Sequence, residues 1–247
     1  NQKFGKGEYE APDTSTMDSE GGGQAQHFEN FRMNDVQLIW EAYEELQQGK
    51  KALILIDIQN DFMPGGALAV NDGGAVIPIA NQMMDDFEVI VATQDWHPKD
   101  HVSFASNHEG AELFTTVKTS RGLEQTLWPD HCVQGTPGAE LVSGIDTSRI
   151  TEVFEKGNDT EVDSYSGFID AGGRELIMGQ WLKKQGVTDV YLVGVATDFC
   201  VKFTALDARK LGFNTHLIQA GVRGVNIQPG DSDKAVSQMQ AAGVNIT

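Results

Sequence analysis

Disulfide scaffolding is the first possibility that the sequence closes. Only two cysteines, Cys132 and Cys200, occur in 247 residues, and neither belongs to a CxxC pair. Stapled secreted domains are far denser in cysteine, so thiol chemistry is a better reading here than thiol architecture. Long apolar runs are also missing: none approaches the ~20 residues needed to span a bilayer, and no charged-then-apolar secretory signal opens the chain. A membrane enzyme and a membrane anchor are excluded, and the missing signals place the protein in the cytoplasm. Opening on Asn1 rather than Met points to a processed or trimmed N-terminus. Positive charge is scarce as well. Eighteen Lys and Arg stand against 36 Asp and Glu, a formal net charge of −18, and such a field opposes duplex DNA and anionic bilayers alike. A nucleic-acid partner is therefore not expected. What remains, 40% apolar and 22% charged residues, suits a soluble α/β domain large enough to bury a core without staples.

Residues 1–33 are rich in Gly, Ser, Asp and Glu, with GGG at 21–23 and few aliphatics. Such a segment buries too little to offset its ordering entropy and reads as a flexible polar tail. Residues 34–50 follow as an N-terminal helix, with Asn34 or Asp35 as its cap and Gly49 as its stop. From residue 51 to 247 the pattern becomes strand–helix alternation. Apolar runs at 52–56, 89–92, 153–154, 190–195 and 215–218 read as strands buried on both faces. Helices are predicted at about 74–86, 173–185, 198–211 and 231–241, several closed by a glycine, with an edge strand over 244–246. The prediction is a three-layer α/β fold, a mainly parallel six-stranded sheet with helices on both faces. The stretch 98–148 has little periodicity and many Gly, Pro and His residues; a loop that long in a compact domain is usually functional.

Polar residues fall at telling places. Asp57 ends the first apolar run, Asp95 follows the second, Lys156 the third and Cys200 the fourth. Ligands of open α/β sheets bind beyond the carboxyl ends of the strands, so four segments deliver two carboxylates, an amine and a thiol to one edge. Cys200 lies on a predicted strand-to-helix turn with Asp198 as a candidate N-cap; a helix N-terminus and a cation such as Lys156 both favour thiolate. Asp57 could then serve as its proton acceptor. Asp95 and His97, two apart at a strand end, point to one side, and His131 arrives from the irregular loop. One carboxylate and two imidazoles with open positions suit a catalytic Zn²⁺, Fe²⁺ or Mn²⁺. Phe62, Trp96, Trp128 and Tyr165 offer surfaces on which a flat aromatic substrate could stack.

Taken together, the stretches ILIDIQNDF (54–62), PGGALAV (64–70), ATQDWHP (92–98), WPDHCVQGTPGAE (128–140), KG (156–157), YSGF (165–168) and GVATDFCV (194–201) resemble nicotinamidases of the isochorismatase-like cysteine hydrolase superfamily. The resemblance is collinear over about 51–247 and does not reach residues 1–50. It implies a catalytic triad of Asp57, Lys156 and Cys200, metal ligands Asp95, His97 and His131, and a position beside the metal for His101. It further implies a pyridine pocket lined by Phe62, Trp128 and Tyr165, and a cis peptide between Val195 and Ala196. In that arrangement the N–H groups of Ala196 and Cys200 form an oxyanion hole. The implied activity is hydrolysis of nicotinamide, and of pyrazinamide, with one divalent metal, Zn²⁺ before Fe²⁺ or Mn²⁺, in NAD salvage. Metal-independent isochorismatases lack the D-x-H and HC pair present here. Two alternatives are carried: another superfamily amidase acting on carbamoyl or ureido substrates, and a non-catalytic pyridine-binding protein. The partner is a small molecule, and a homo-oligomer is compatible with the sequence.

Overall fold

Side chains alternate along a strand, and β1 (Lys50–Ile56) uses both of its faces. Ala52, Ile54 and Ile56 enter one apolar cluster while Leu53 and Leu55 enter a second. A strand apolar on both sides requires a layer on each. The computed structural model describes Gln37, Leu38, Trp40 and residues 49–247. The chain divides into two units, Asn1–Gln48 and Gly49–Thr247. The expected tail over 1–33 lies outside the described residues. So does most of the expected helix over 34–50, of which Gln37, Leu38 and Trp40 are helical and Lys50 already belongs to β1.

After β1 come α1 (Val76–Met83), β2 (Val89–Asp95), the short strands β3 (Thr116–Lys118) and β4 (Glu124–Thr126), and β5 (Glu152–Lys156). Then follow α2 (Ile177–Lys184), β6 (Val187–Val195), α3 (Lys202–Lys210), β7 (Asn214–Arg223), α4 (Asp231–Ala241) and β8 (Asn245–Ile246). The main sheet runs β5-β2-β1-β6-β7-β8 with every neighbouring pair parallel. Met178 and Leu182 of α2, Ala205 and Ala208 of α3 and Met239 of α4 cover the face of Ile54. Val76 and Ala80 of α1 cover the face of Leu53, together with Trp128, Val142 and Ile145 from the irregular stretch. The expected three-layer fold is the one observed.

Four details differ from the sequence reading. The expected helix over 74–86 is helical in α1 alone, with tighter 3₁₀ turns at either end. The helix expected from 173 starts at Ile177, because Asp170 accepts from the Arg174 backbone and side chain and holds that segment as a turn. β7 runs on to Arg223, where Gln219 and Gly221 interrupt the apolar pattern. The irregular stretch contains the β3–β4 hairpin, turning at Gly122 (φ 78°), whose three-residue strands are too short to show a period.

Candidate active site

Strand order reverses between β1 and β6, since β1 leads outward through β2 to β5 and β6 leads the other way through β7 to β8. Such a switch point opens a crevice beyond the strand ends. Asp57 leaves β1 in a left-handed conformation (φ 50°), which turns its carboxylate into that crevice. Thr93 Oγ1 donates to Asp57 Oδ1 at 2.6 Å, and Lys156 Nζ lies 3.0 Å from Asp57 Oδ2. Asp95 and Lys156 are register partners in β2 and β5, so the sheet itself brings their side chains together, at 2.5 Å. Lys156 Nζ also donates to Ser164 O at 3.0 Å and to Cys200 Sγ at 3.4 Å. Asp57, Asp95 and Cys200, from three separate segments, thus surround the Lys156 ammonium.

Asp57, Lys156 and Cys200 are all buried, and burial sets their protonation. It pushes the Asp57 carboxyl up, against the pull of Lys156. It works against the Lys156 ammonium too, but Asp57 and Asp95 override it and raise that group well above its ordinary value. Burial raises the Cys200 thiol well above its ordinary value, more than Lys156 lowers it. The dry surroundings and the two carboxylates outweigh the one cation, so the thiol holds its proton until a base takes it, the role expected of Asp57. Asp57 Oδ2, paired with the Lys156 ammonium at 3.0 Å, also lies within hydrogen-bond reach of the Cys200 thiol.

Asp198 does not cap the helix, either. The chain leaves β6 through a cis Val195–Ala196 peptide into a π-helical turn over Thr197–Val201, and no side chain caps it. Asp198 accepts instead from the backbone N–H groups of Val225 (2.9 Å) and Asn226 (2.7 Å).

Asp95, His97 and His131 offer ligand atoms that all lie within 4.8 Å of one another. Both imidazoles are aimed by backbone carbonyls: His97 Nδ1 donates to Gly157 O at 2.8 Å and His131 Nδ1 to Pro129 O at 2.7 Å. Their Nε2 atoms are left facing Asp95 Oδ2 at 3.7 and 4.0 Å. A carbonyl holding the far nitrogen is the usual support of a metal-bound histidine. Burial, with His97 adding to it, lowers His131 and His101 to about 4, whereas at His97 the neighbouring Asp95 overrides burial and raises the imidazole. Burial raises the Asp95 carboxyl, but Lys156 and the two histidines override it and hold it well below the usual carboxylate range. His101 stacks 4.3 Å from His97, its Nδ1 bonded to Ser103 Oγ at 2.7 Å and its buried Nε2 without a hydrogen-bond partner. The donor set fits a divalent cation.

Between thiol and imidazoles lies a cavity lined on its apolar sides by Phe62, Trp128, Tyr165, Ala196 and Phe199. Trp128 Nε1 donates to the Tyr165 hydroxyl at 3.0 Å, and Phe199 meets Trp128 edge-on at 4.8 Å. Trp96 does not line it and packs against the core.

A model of the isochorismatase domain matches residues 51–247. The nicotinamidase of Escherichia coli is 47% identical over 201 residues, covering 79% of this chain and 93% of its own. An Acinetobacter nicotinamidase/pyrazinamidase of solved structure superposes with a TM-score of 0.77 at 43% identity, over 80% of this chain and 95% of that one. The chain belongs to the isochorismatase family, in its nicotinamidase branch. A Pyrococcus horikoshii pyrazinamidase, solved in complex with zinc, is 38% identical with a TM-score of 0.66, over 80% and 98% of the two chains. As a nicotinamidase-type amide hydrolase the chain has a divalent-metal site, for which the cluster of Asp95, His97 and His131 is a candidate.

Several residues of this site lie beyond the sequence reading. Gln59 accepts from Asp95 N and donates to Asp95 O and Ala139 O, each at 2.8 Å, pinning the end of β2. Asp61 accepts from Cys132 N at 2.7 Å and so fixes the left-handed residue (φ 47°) that follows His131. Asp163 lines the cavity, receiving Gln125 Nε2 at 2.8 Å and Ser164 N at 2.7 Å. Gln59 and Asp61 sit inside the matched ILIDIQNDF stretch, a signal that was present; nothing in the sequence marks Asp163.

Proposed function

We propose that this protein hydrolyses nicotinamide to nicotinate and ammonia through a thioester on Cys200. The observation that carries the reading is the Lys156 ammonium, 3.0 Å from Asp57, 3.4 Å from Cys200 and 2.5 Å from Asp95, the last two of which line an aromatic cavity. Asp57 Oδ2 takes the thiol proton as sulfur attacks the amide carbon. Lys156, held charged between two carboxylates, steadies the negative charge as it passes from Asp57 to sulfur. The backbone N–H groups of Ala196 and Cys200 are assigned to the developing oxyanion, where one such donor is typically worth about 3 kcal/mol of barrier. Asp57 then delivers its proton to the departing NH₂, and water attacks the thioester with Asp57 again as base. Phe62, Trp128 and Tyr165 flank the ring. Asp95, His97 and His131 would hold one divalent ion, Zn²⁺ by the chemistry of one carboxylate and two imidazoles, with Fe²⁺ or Mn²⁺ suited to the same donors. Bound there, the ion supplies a Lewis acid for the pyridine nitrogen and so a means of orienting the carboxamide.

Ammonia release from nicotinamide, pyrazinamide and a panel of carbamoyl and ureido compounds tests the reading, with elemental analysis on the same sample. Turnover of nicotinamide that weakens through KM when a chelator strips the metal is the expected result. Turnover confined to ureido substrates would overturn the substrate, and undiminished binding after stripping would overturn the role of the ion.

A further inference from the structure

The Asp198 carboxylate is 3% exposed and sits two residues before the nucleophile, yet it serves neither the helix nor the triad. Each of its oxygens takes one backbone N–H from the segment after β7: Oδ1 from Val225 at 2.9 Å and Oδ2 from Asn226 at 2.7 Å. That segment also packs Val225 and Ile227 against the apolar cluster of Leu53. Asn226 is in the left-handed region (φ 52°), and Gly224 runs so close beneath that a Cβ there would lie 2.0 Å from Ser232 Oγ and 3.1 Å from Asp198 Oδ1. Asn226 Oδ1 in turn accepts from Ser232 N at the start of α4. The Val225 side chain, at the centre of this clamp, is part of the wall of the catalytic cavity.

We infer that Asp198 is a positioning residue that sets the cavity wall: it ties Val225 to the same turn that carries Cys200, so that ring pocket and sulfur keep a fixed spacing. The inference rests on the amidase reading, since it assigns Asp198 to ground-state placement of that substrate. Loss of the clamp lets Val225 drift without touching Asp57, Lys156 or Cys200, so the consequence falls on KM. A hydrogen bond to a charged group is among the stronger ones, and two are at stake.

Steady-state ammonia release by the metal-loaded full chain, for Asp198→Asn, Val225→Ala and the double variant, is the test. Asp198→Asn should raise KM for nicotinamide about ten-fold with kcat within about three-fold. Its effect should largely vanish when Val225 is already Ala, because two residues acting through one contact are not additive. Additive effects, or a loss confined to kcat or to melting temperature, would overturn the inference. Should Asp198→Asn fail to fold, amide hydrogen exchange in the unmodified protein decides. The Val225 and Asn226 amides should be protected like those of the adjoining strand, and exchange at free-loop rates would overturn the clamp. That measurement needs no substrate, so a protein with protected amides that ignores nicotinamide would refute the substrate reading and leave the clamp standing.

Discussion

The two halves of the site are built by different means. The thiol half is set by the sheet: Asp57 follows β1, Lys156 ends β5, and Cys200 follows β6 by one tight turn. Its spacing comes from strand register, which a folded parallel sheet fixes wherever both faces are buried. The metal half has one strand-end residue, Asp95, and takes His131 from a long irregular segment. Spacing there depends on single contacts between side chain and backbone: Pro129 O on His131, Gly157 O on His97, Asp61 on the residue after His131. The Asp95–Lys156 pair joins the halves, and it is a register pair. Chemistry is thus anchored in the sheet, and recognition in loops that the sheet only partly determines.

The largest effect should come from the thiol half. In the proposed mechanism Cys200→Ala removes the group on which every covalent step depends, and ammonia release should fall by about four orders of magnitude or more. Metal content should stay unchanged, because neither the proposed ligands Asp95, His97 and His131 nor the carbonyls that aim the two histidines are touched. Appreciable remaining turnover would assign the attack elsewhere, and simultaneous loss of metal would show that the halves are not separable.

Next in size is a change to the metal half that removes no ligand. Gly157 sits at φ +65°, and a Cβ on it would meet His97 Cε1 at 2.4 Å and Nδ1 at 2.7 Å. Those are ring atoms locked in place, so Gly157→Ala must rotate the imidazole or shift the backbone whose carbonyl aims it. Loss of this kind of support typically costs 10–100-fold in metal affinity, and competition with a chromophoric chelator would measure it. An unaltered affinity would mean that the loop contacts tolerate slack, and the contrast between the halves would shrink.

The same contrast explains what could be read from the sequence. Strand-borne residues were legible because each ends an apolar run: Ala52–Ile56 before Asp57, Val190–Val195 ahead of Cys200. Parallel strands buried on both faces leave that trace without any knowledge of partners. Asp198 shows where such local reasoning fails. An acidic residue opening a helix reads as a cap, but its carboxylate serves Val225 and Asn226, 27 and 28 residues further on. Asp163 fails for the same reason, its partner Gln125 lying 38 residues away across the hairpin. For the thiol, a helix start and a lysine argue for thiolate, and the fold adds how dry its surroundings are, which raises it well above its ordinary value.

The smallest effect is expected where the irregular segment meets solvent. Arg121 pairs with Glu161 at 3.2 Å and with Asp159 at 3.9 Å, joining the β3–β4 turn to the segment after β5. On a map of contacts this resembles the ties that hold His131. Its side chains differ in exposure, however, with Arg121 52% and Glu161 54% accessible, and exposed pairs are worth about 0–1 kcal/mol after screening. Arg121→Ala should therefore shift the melting temperature by little and leave metal affinity and KM where they were. A marked loss of metal in this variant would mean that surface charge holds the loop in place. The buried contacts of Asp61, Pro129 and Gly157 would then not suffice to place the metal half, and the division between a sheet-set half and a contact-set half would have to be redrawn.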